Sequence, residues 1–352
     1  TPKGAMLTHA NLSINAQQVA AVDPEAYDDA VPKRILGALP FFHVFANTVV
    51  LNMTTLVGGM IVMLPKFELG QAIKAVRQHK LTVMPGVPTM YTAMLNHESF
   101  QANDLASLRL CISGGAPLPV ELKERFGNAS EAVLAEGYGL TESSGVVSVN
   151  PFRGVNKTGS IGLPLPGTDI VIVDKDDPTK VLPVGEAGEL TLSGPQMMQG
   201  YWRRDNSDVF VNGLLRTGDI AYMDKDGYTF IIDRMKDMVV VGGFKVYPRT
   251  LEELLYQHPA VLEATVIGIP DDYLGQRPKA FVVLRPEQAG TVDGAALKEW
   301  LNAKVAKHER VAAVEVRESL PKTMVGKLSK KELVEEEMAK RAAAAGQEVA
   351  AQ

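Results

Sequence analysis

Only one cysteine, Cys111, occurs in the 352 residues. An internal disulfide is therefore impossible, and a cysteine-built metal cluster is not expected. Such sparse cysteine use suits a chain kept in a reducing compartment. There is no basic excess either: 36 Lys and Arg stand against 41 Asp and Glu, a net charge of −5. A general nucleic-acid binder carries the opposite balance, so no nucleic-acid partner is expected. A spanning helix needs about 18–20 clean apolar residues, and none is found. The most apolar stretch, 49–64, is interrupted by Asn52, Thr54 and Thr55 and split at Gly58-Gly59. It reads as a buried helix followed by a strand. The start, Thr1-Pro2-Lys3-Gly4, lacks Met, a basic n-region and an apolar h-region. It reads as the middle of a loop rather than a signal peptide, and the chain as a fragment of a longer one. The expected location is cytoplasmic, with any membrane contact peripheral, at the inner face. Repeats and HExxH-type metal spacing are also missing.

What is present is ordinary globular material, 46% hydrophobic and 22% charged, enough for a sizeable core. At about 150 residues per domain, two to three domains are expected. Apolar periodicity predicts helices over 9–22, 44–57, 69–78, 89–95 and 120–126. Short apolar strands are predicted over 35–39, 60–64, 81–84, 108–113 and 132–138. This alternation implies an α/β domain, 1–150, whose mostly parallel sheet is covered on both faces. From 151 to 233 the chain is rich in Gly and Pro, with β-type runs at 170–173, 188–193 and 228–232. That predicts a β-barrel-like or meander subdomain. A charged joint, Asp233-Arg234-Met235-Lys236-Asp237, opens a small α+β domain, 234–352. Its predicted elements are helix 249–257, strands 261–269 and 279–284, helix 294–304, strand 313–316 and a helical tail from 335 that frays at its Ala-rich end.

Four segments look unlike packing. Pro2-Lys3-Gly4 ahead of a helix can present N–H groups and a lysine to phosphate, although any surface turn reads similarly. Ser113-Gly114-Gly115-Ala116-Pro117 follows a buried strand. Glycines at the carboxyl end of a parallel strand let a flat ligand approach the backbone; a plain βα turn is the alternative. Glu136-Gly137-Tyr138-Gly139-Leu140-Thr141-Glu142 also follows a strand, and joins close-approach glycines to a hydroxyl and to a carboxylate suited to Mg²⁺. In Pro321-Lys322-Thr323-Met324-Val325-Gly326-Lys327, a lone lysine after Gly suits a charge that must reach a site and leave it. A solvated loop lysine is the plain alternative.

In order along the chain, residues 1–9, Gly139-Leu140-Thr141-Glu142, Arg216-Thr217-Gly218-Asp219, 233–236 and Lys327 resemble the adenylate-forming ligases, over nearly the whole length. The likeness is strongest to bacterial long-chain fatty-acid–CoA ligases. It rests on Pro40-Phe41-Phe42-His43, 136–142, Ser148-Val149-Asn150-Pro151, Gly200-Tyr201-Trp202 and Gly242-Gly243-Phe244-Lys245-Val246-Tyr247-Pro248.

The resemblance implies a two-step reaction. A carboxylate attacks the α-phosphate of MgATP to give acyl-AMP and pyrophosphate, and the thiol of coenzyme A then displaces AMP. The implied partners are a fatty acid, ATP and coenzyme A, with Mg²⁺ as the cofactor. In the family the phosphate loop ends in Pro-Lys-Gly, so Lys3 and Gly4 are what this chain carries of it. The implied nucleotide residues are Gly114, Gly115, Ala116, Pro117, Glu136, Gly137, Tyr138 and Gly139. Thr141 is implied to contact phosphate, Glu142 to hold Mg²⁺, Asp219 and Arg234 to serve the ribose, and Lys327 to be the cation of adenylation. The implied hinge is Lys236. The segment 239–245, with Gly243, is implied to cover the pantetheine passage, and His43 to gate between nucleotide and acyl sites. A histidine capping a buried helix is the alternative for His43.

Leu214, Arg310-Val311-Ala312 and Ser329-Lys330-Lys331 depart from the family pattern without removing a chemical residue. The missing part of the phosphate loop leads to the expectation that this piece is weakly active or inactive. Rival readings are a ligase for an aryl or short- or medium-chain acid, and a non-catalytic nucleotide- or acyl-binding relative. Neither acyl chain length nor oligomeric state is written in these motifs.

Overall fold

The structure, a computed structural model, describes residues 3–23, 25–97 and 102–350. Thr1 and Pro2 of the first motif lie outside them, as does the end of the tail, 351–352. The chain divides into two compact units, Thr1–Ile231 and Ile232–Gln352.

The first unit carries two sheets. The larger contains β1 (Arg34–Gly37), β2 (Met60–Met63), β3 (Val83–Gly86), β4 (Leu110–Ser113), β5 (Val133–Tyr138), β6 (Ser148–Val149) and β7 (Leu163–Pro164). Their order is β2-β1-β3-β4-β5-β6-β7. Pairing is parallel from β2 through β5 and antiparallel across β6 and β7. Every residue of β3 and β4 is buried, as expected of strands covered on both faces. The core around them takes Ala16 and Val19 from helix His9–Val22, Ala72 and Val76 from Leu69–His79, Met90 and Met94 from Pro88–Leu95, and Leu122 and Phe126 from Val120–Ala129. Tyr91 meets Phe126 edge-on at 5.7 Å. Its buried hydroxyl donates to the carbonyls of Met84 (2.7 Å) and Ile112 (3.1 Å), which satisfies the one polar atom of a large core side chain.

The helix expected over 44–57 is wound differently. Residues Ala46–Asn52 form a π-helix, and only Met53–Leu56 return to α geometry. Within the wide turn Thr48 Oγ1 donates to the Ser144 carbonyl at 2.5 Å. Such local widening recurs at functional sites. Strands β3 and β4 also begin two residues later than apolarity suggests. Leu81 and Leu108 are buried but precede the ladder.

The second sheet contains β8 (Asp169–Val173), β9 (Gly188–Ser193), β10 (Phe210–Val211), β11 (Leu214–Met223) and β12 (Thr229–Arg234). The order is β10-β11-β9-β8, with β12 also beside β11. The longest strand, β11, is absent from the sequence-based elements. Its register breaks: Arg216 faces Thr191 and Ile220 faces Glu189, with Thr217-Gly218-Asp219 bulged between them. The hairpin into it turns on Asn212-Gly213, both at positive φ (51° and 78°), the backbone that a two-residue I′ turn demands.

The second unit holds β13 (Val239–Val241), β14 (Phe244–Val246), β15 (Val261–Asp271), β16 (Gly275–Leu284) and β17 (Val314–Arg317), ordered β14-β13-β16-β15 with β17 parallel to β16. Leu251 and Leu255 of helix Pro248–Tyr256 and Leu297 and Leu301 of helix Gly294–Asn302 pack with Val266 and Val282. The last helix spans Lys330–Ala350, five residues earlier than the sequence suggests. Among the described residues no helix is long and apolar enough to cross a membrane.

Candidate active site

In the first unit the site residues gather where β4 and β5 end. Gly114 leaves β4 with its N–H on the Gly86 carbonyl (3.1 Å). A Cβ at Gly114 would lie 3.2 Å from the Phe45 ring, so glycine lets that ring close on the loop. The loop is tied from the neighbouring strand: Glu136, 3% exposed, accepts from Leu118 N at 3.1 Å. Glu136 thus holds the Gly114-Gly115-Ala116-Pro117 turn rather than facing solvent.

Beyond β5 the chain folds back tightly on itself. A Cβ at Gly139 would stand 1.8 Å from the Gly145 carbonyl oxygen, so no other residue fits there. The turn is fastened by Gly145 N to Leu140 O (3.1 Å) and Leu140 N to Ser143 Oγ (3.0 Å). Thr141 is thereby left exposed and Glu142 half-buried. Tyr201 Oη donates to Glu142 Oε1 at 2.6 Å. Burial, reinforced by the Glu142 carboxylate, pushes the Tyr201 phenol up, so Tyr201 stays a donor. Lys3 Nζ lies 4.8 Å from the centre of the Tyr201 ring. Its segment is held against 200–202 by Met6 N to Gly200 O (2.9 Å) and Trp202 N to Gly4 O (2.8 Å). Lys3, Tyr201 and Glu142 therefore converge.

Asp219 is the last residue of the β11 bulge and 2% exposed. It accepts from the hydroxyl of Tyr138, and its N–H bonds Thr217 Oγ1 at 3.0 Å. Bulges re-aim side chains beside active sites, and this one is braced from β9. Glu189, 1% exposed, accepts from Arg216 Nη2 (2.7 Å) and Nε (2.9 Å), and from Gly218 N (3.2 Å). Glu189, Tyr201 and Thr48 are site supports that sequence reasoning missed. A carboxylate in a strand whose Leu190 and Leu192 mark it as core was the available signal for the first. His43 accepts from Phe45 N through Nδ1 at 3.2 Å, so its ring does cap the helix start.

The remaining candidates lie after Ile231, in the second unit, Asp233 and Arg234 at the end of β12, which runs across the boundary. Asp233, 5% exposed, accepts from the N–H of Arg234 (2.7 Å) and of Arg249 (3.0 Å). Burial raises its pKa although Lys330 and these donors oppose. Lys236 is exposed in the turn that Asp237 N closes on Arg234 O (3.0 Å). Gly243, with Gly242, makes the β13–β14 turn at positive φ (88° and 56°). The Lys327 ammonium is pushed down to about 8 by burial and by the Arg234 guanidinium.

No group of three or more His, Cys, Asp and Glu side chains suited to a metal occurs among the described residues. Mg²⁺ characteristically takes one or two carboxylates and completes its shell with water and substrate phosphates. Glu142, half-buried beside the exposed Thr141 hydroxyl, fits that mode.

Glycine-rich turns at the carboxyl ends of a parallel sheet, followed along the chain by an antiparallel sheet and a small α+β unit, make this an α/β protein of two units. Residues 1–202 match the AMP-binding enzyme family, and residues 250–327 match the AMP-binding enzyme C-terminal domain. The chain belongs to the AMP-binding enzymes. It is 42% identical to a long-chain-fatty-acid–CoA ligase of Bacillus subtilis, over 96% of this chain and 60% of that one. A feruloyl-CoA synthase of Amycolatopsis is 38% identical over 94% of this chain and 66% of its own. ATP-bound MatB from Rhodopseudomonas palustris superposes with a TM-score of 0.87 at 33% identity, covering 95% of this chain and 65% of that one. The chain thus spans about 60% of the length of the long-chain ligase it matches.

Proposed function

We propose that the chain carries the chemistry of an AMP-forming acid–CoA ligase whose acid is a long-chain fatty acid. The observation that carries this reading is the convergence at the end of β5. A glycine turn with no room for a side chain presents Thr141 and Glu142 beside Lys3 and Tyr201, and Asp219 stands at Tyr138. The first step brings an anion up to a polyanion, so it needs oriented donors and positive charge. Lys3 and Thr141 meet phosphate, the 114–117 turn and 137–139 accept the adenine, and Asp219 and Arg234 accept and support the ribose. Lys327 is the cation of this step. Burial and Arg234 bring its pKa down to about 8, and contact with an anionic phosphate favours the charged form. Mg²⁺, held by Glu142 when bound, neutralises phosphate charge. In the second step coenzyme A attacks the acyl carbon and AMP leaves, with Gly243 and His43 on the thiol and acyl side.

The fatty acid is supported by the 42% identity to the Bacillus ligase. An aryl acid is the second reading, favoured by the feruloyl-CoA synthase at 38%. Pyrophosphate release with ATP and Mg²⁺, across a panel of fatty and aryl acids, tests both, measured on a longer protein that contains this chain and carries the whole phosphate loop. Release with long-chain acids alone upholds the first, release with aryl acids alone replaces it by the second, and release with none of them removes the ligase reading.

A further inference from the structure

Within the second unit, the segment that carries Lys327 is not a loose loop. Lys322 and Leu328 form an antiparallel bridge. Thr323 N bonds Lys327 O at 2.8 Å, Gly326 N bonds Thr323 O at 2.8 Å, and Ser329 N bonds Pro321 O at 2.8 Å. Lys327 N is held by Thr323 Oγ1 at 3.2 Å. Gly326, at φ +81°, supplies the turn. The result is a closed hairpin with Lys327 on its returning arm and Met324 exposed at its tip.

Each foot of this hairpin is pinned by an ion pair to a mostly buried carboxylate. On the outgoing side Lys322 Nζ meets Glu263 Oε1 of β15 at 2.6 Å, and the Glu263 side chain is 11% exposed. On the returning side Lys330 Nζ meets Glu252 Oε1 of helix Pro248–Tyr256 at 2.8 Å, with the Glu252 side chain 15% exposed. Glu252 Oε1 is itself fixed by Val266 N (2.8 Å). Leu320, Leu328 and Leu333 seat the same feet in an apolar cluster with Ile267 and Phe281. Fully exposed pairs contribute little, but a buried carboxylate that loses its cation is left uncompensated.

We propose that Lys322 and Lys330 are positioning residues for Lys327, two ion-pair clamps that fix its hairpin to the unit that carries it. The inference rests on the reading of Lys327 as the cation of acyl-AMP formation. A displacement of about 1 Å at a reacting group can cost about a hundredfold in rate, so loosening either foot should be felt in the first step and not in the second.

The test uses the intact protein and the variants Lys322→Met, Lys330→Met, Lys330→Arg and Glu263→Gln. The last keeps the side-chain shape and reads the first clamp from the other side should a lysine variant fail to fold. Three quantities are measured: single-turnover acyl-AMP formation, reaction of preformed acyl-AMP with coenzyme A, and amide hydrogen exchange at Gly326, Lys327 and Ser329. The methionine variants and Glu263→Gln are expected to slow the first step by about tenfold or more. The KM for ATP and the second step should stay within about twofold, and the three amides should exchange faster. Lys330→Arg, which keeps the charge, should recover most of the first-step rate. Unchanged exchange at the three amides, or an equal fall in both half-reactions, overturns the proposal. If the unaltered protein makes no acyl-AMP, the exchange measurement alone still decides whether the clamps hold the hairpin.

Discussion

At the scale of single residues, the chemistry turns on a few charges whose surroundings differ. Asp219 is buried at the top of a bulge and already bonded to a hydroxyl, so it can exchange that partner for a ribose hydroxyl without moving. Asp219→Ala is expected to weaken ATP binding by about 1.5–3 kcal/mol, the usual worth of hydrogen bonds to a charged group. Titration calorimetry measures this directly, and unchanged affinity would take Asp219 out of the nucleotide site. Lys327 differs, because burial and Arg234 bring its pKa down to about 8. The charged form is the useful one against phosphate. At subsaturating ATP, kcat/KM for acyl-AMP formation should therefore be full below that value and fall as the pH rises through it. Lys327→Ala should remove both this fall and most of the first step, while preformed acyl-AMP still reacts with coenzyme A. A first step whose pH profile is the same with and without Lys327 would rule out the role.

Elements show what the sequence discloses and what it hides. Helix His9–Val22 and strand β9 lie where periodicity puts them, because each is regular and its apolar residues face one core. The glycine turns after β4 and β5 are legible for a similar reason, since Gly139 has no room for anything else. Strand β11 is not legible. Its polar centre, Arg216-Thr217-Gly218-Asp219, breaks the alternation that marks a strand, and the reason is the bulge itself. Likewise the π-helical turn at Ala46–Asn52 keeps a helical apolar pattern, and its departure from α geometry, seen where Met53 N bonds Thr48 O, leaves no mark in the sequence. Supports such as Glu189 stay hidden because their partners lie on other strands. That support is testable. Glu189→Ala leaves Arg216 and Gly218 N without their acceptor in an interior position, and breaking such a pair costs about 3–5 kcal/mol when both members are buried. Arg216 is a quarter exposed, so about 3 kcal/mol, read by urea unfolding, is the expected loss. A loss under about 1 kcal/mol would class the pair with exposed surface ion pairs.

For the molecule as a whole, the division at Ile231 and Ile232 sets the terms. Asp219, Glu142 and the glycine turns are in one unit, while Lys327, Arg234 and Gly243 are in the other, and the chain passes between units through the charged joint. Two reactions with different electrostatic needs are proposed for one protein, and the hairpin that holds Lys327 is closed by its own hydrogen bonds. On the two-step reading proposed above, the charged joint is where freedom to serve both steps is expected. Lys236, like Arg234, is exposed in the turn there. Proline at this position fixes φ near −65° and so should hold the joint in one conformation. Lys236→Pro is expected to leave acyl-AMP formation within about threefold of the parent while slowing thioester formation by about tenfold or more, the scale on which misplacement of reacting groups is felt. Single-turnover kinetics separates the two: ATP with the acid for the first step, preformed acyl-AMP with coenzyme A for the second. A fixed angle that suits only the second step would reverse the pattern and would still mark Lys236 as the pivot. Equal rates for parent and variant in both steps would mean that the chain does not turn at Lys236, and a rotation at the joint would lose its support.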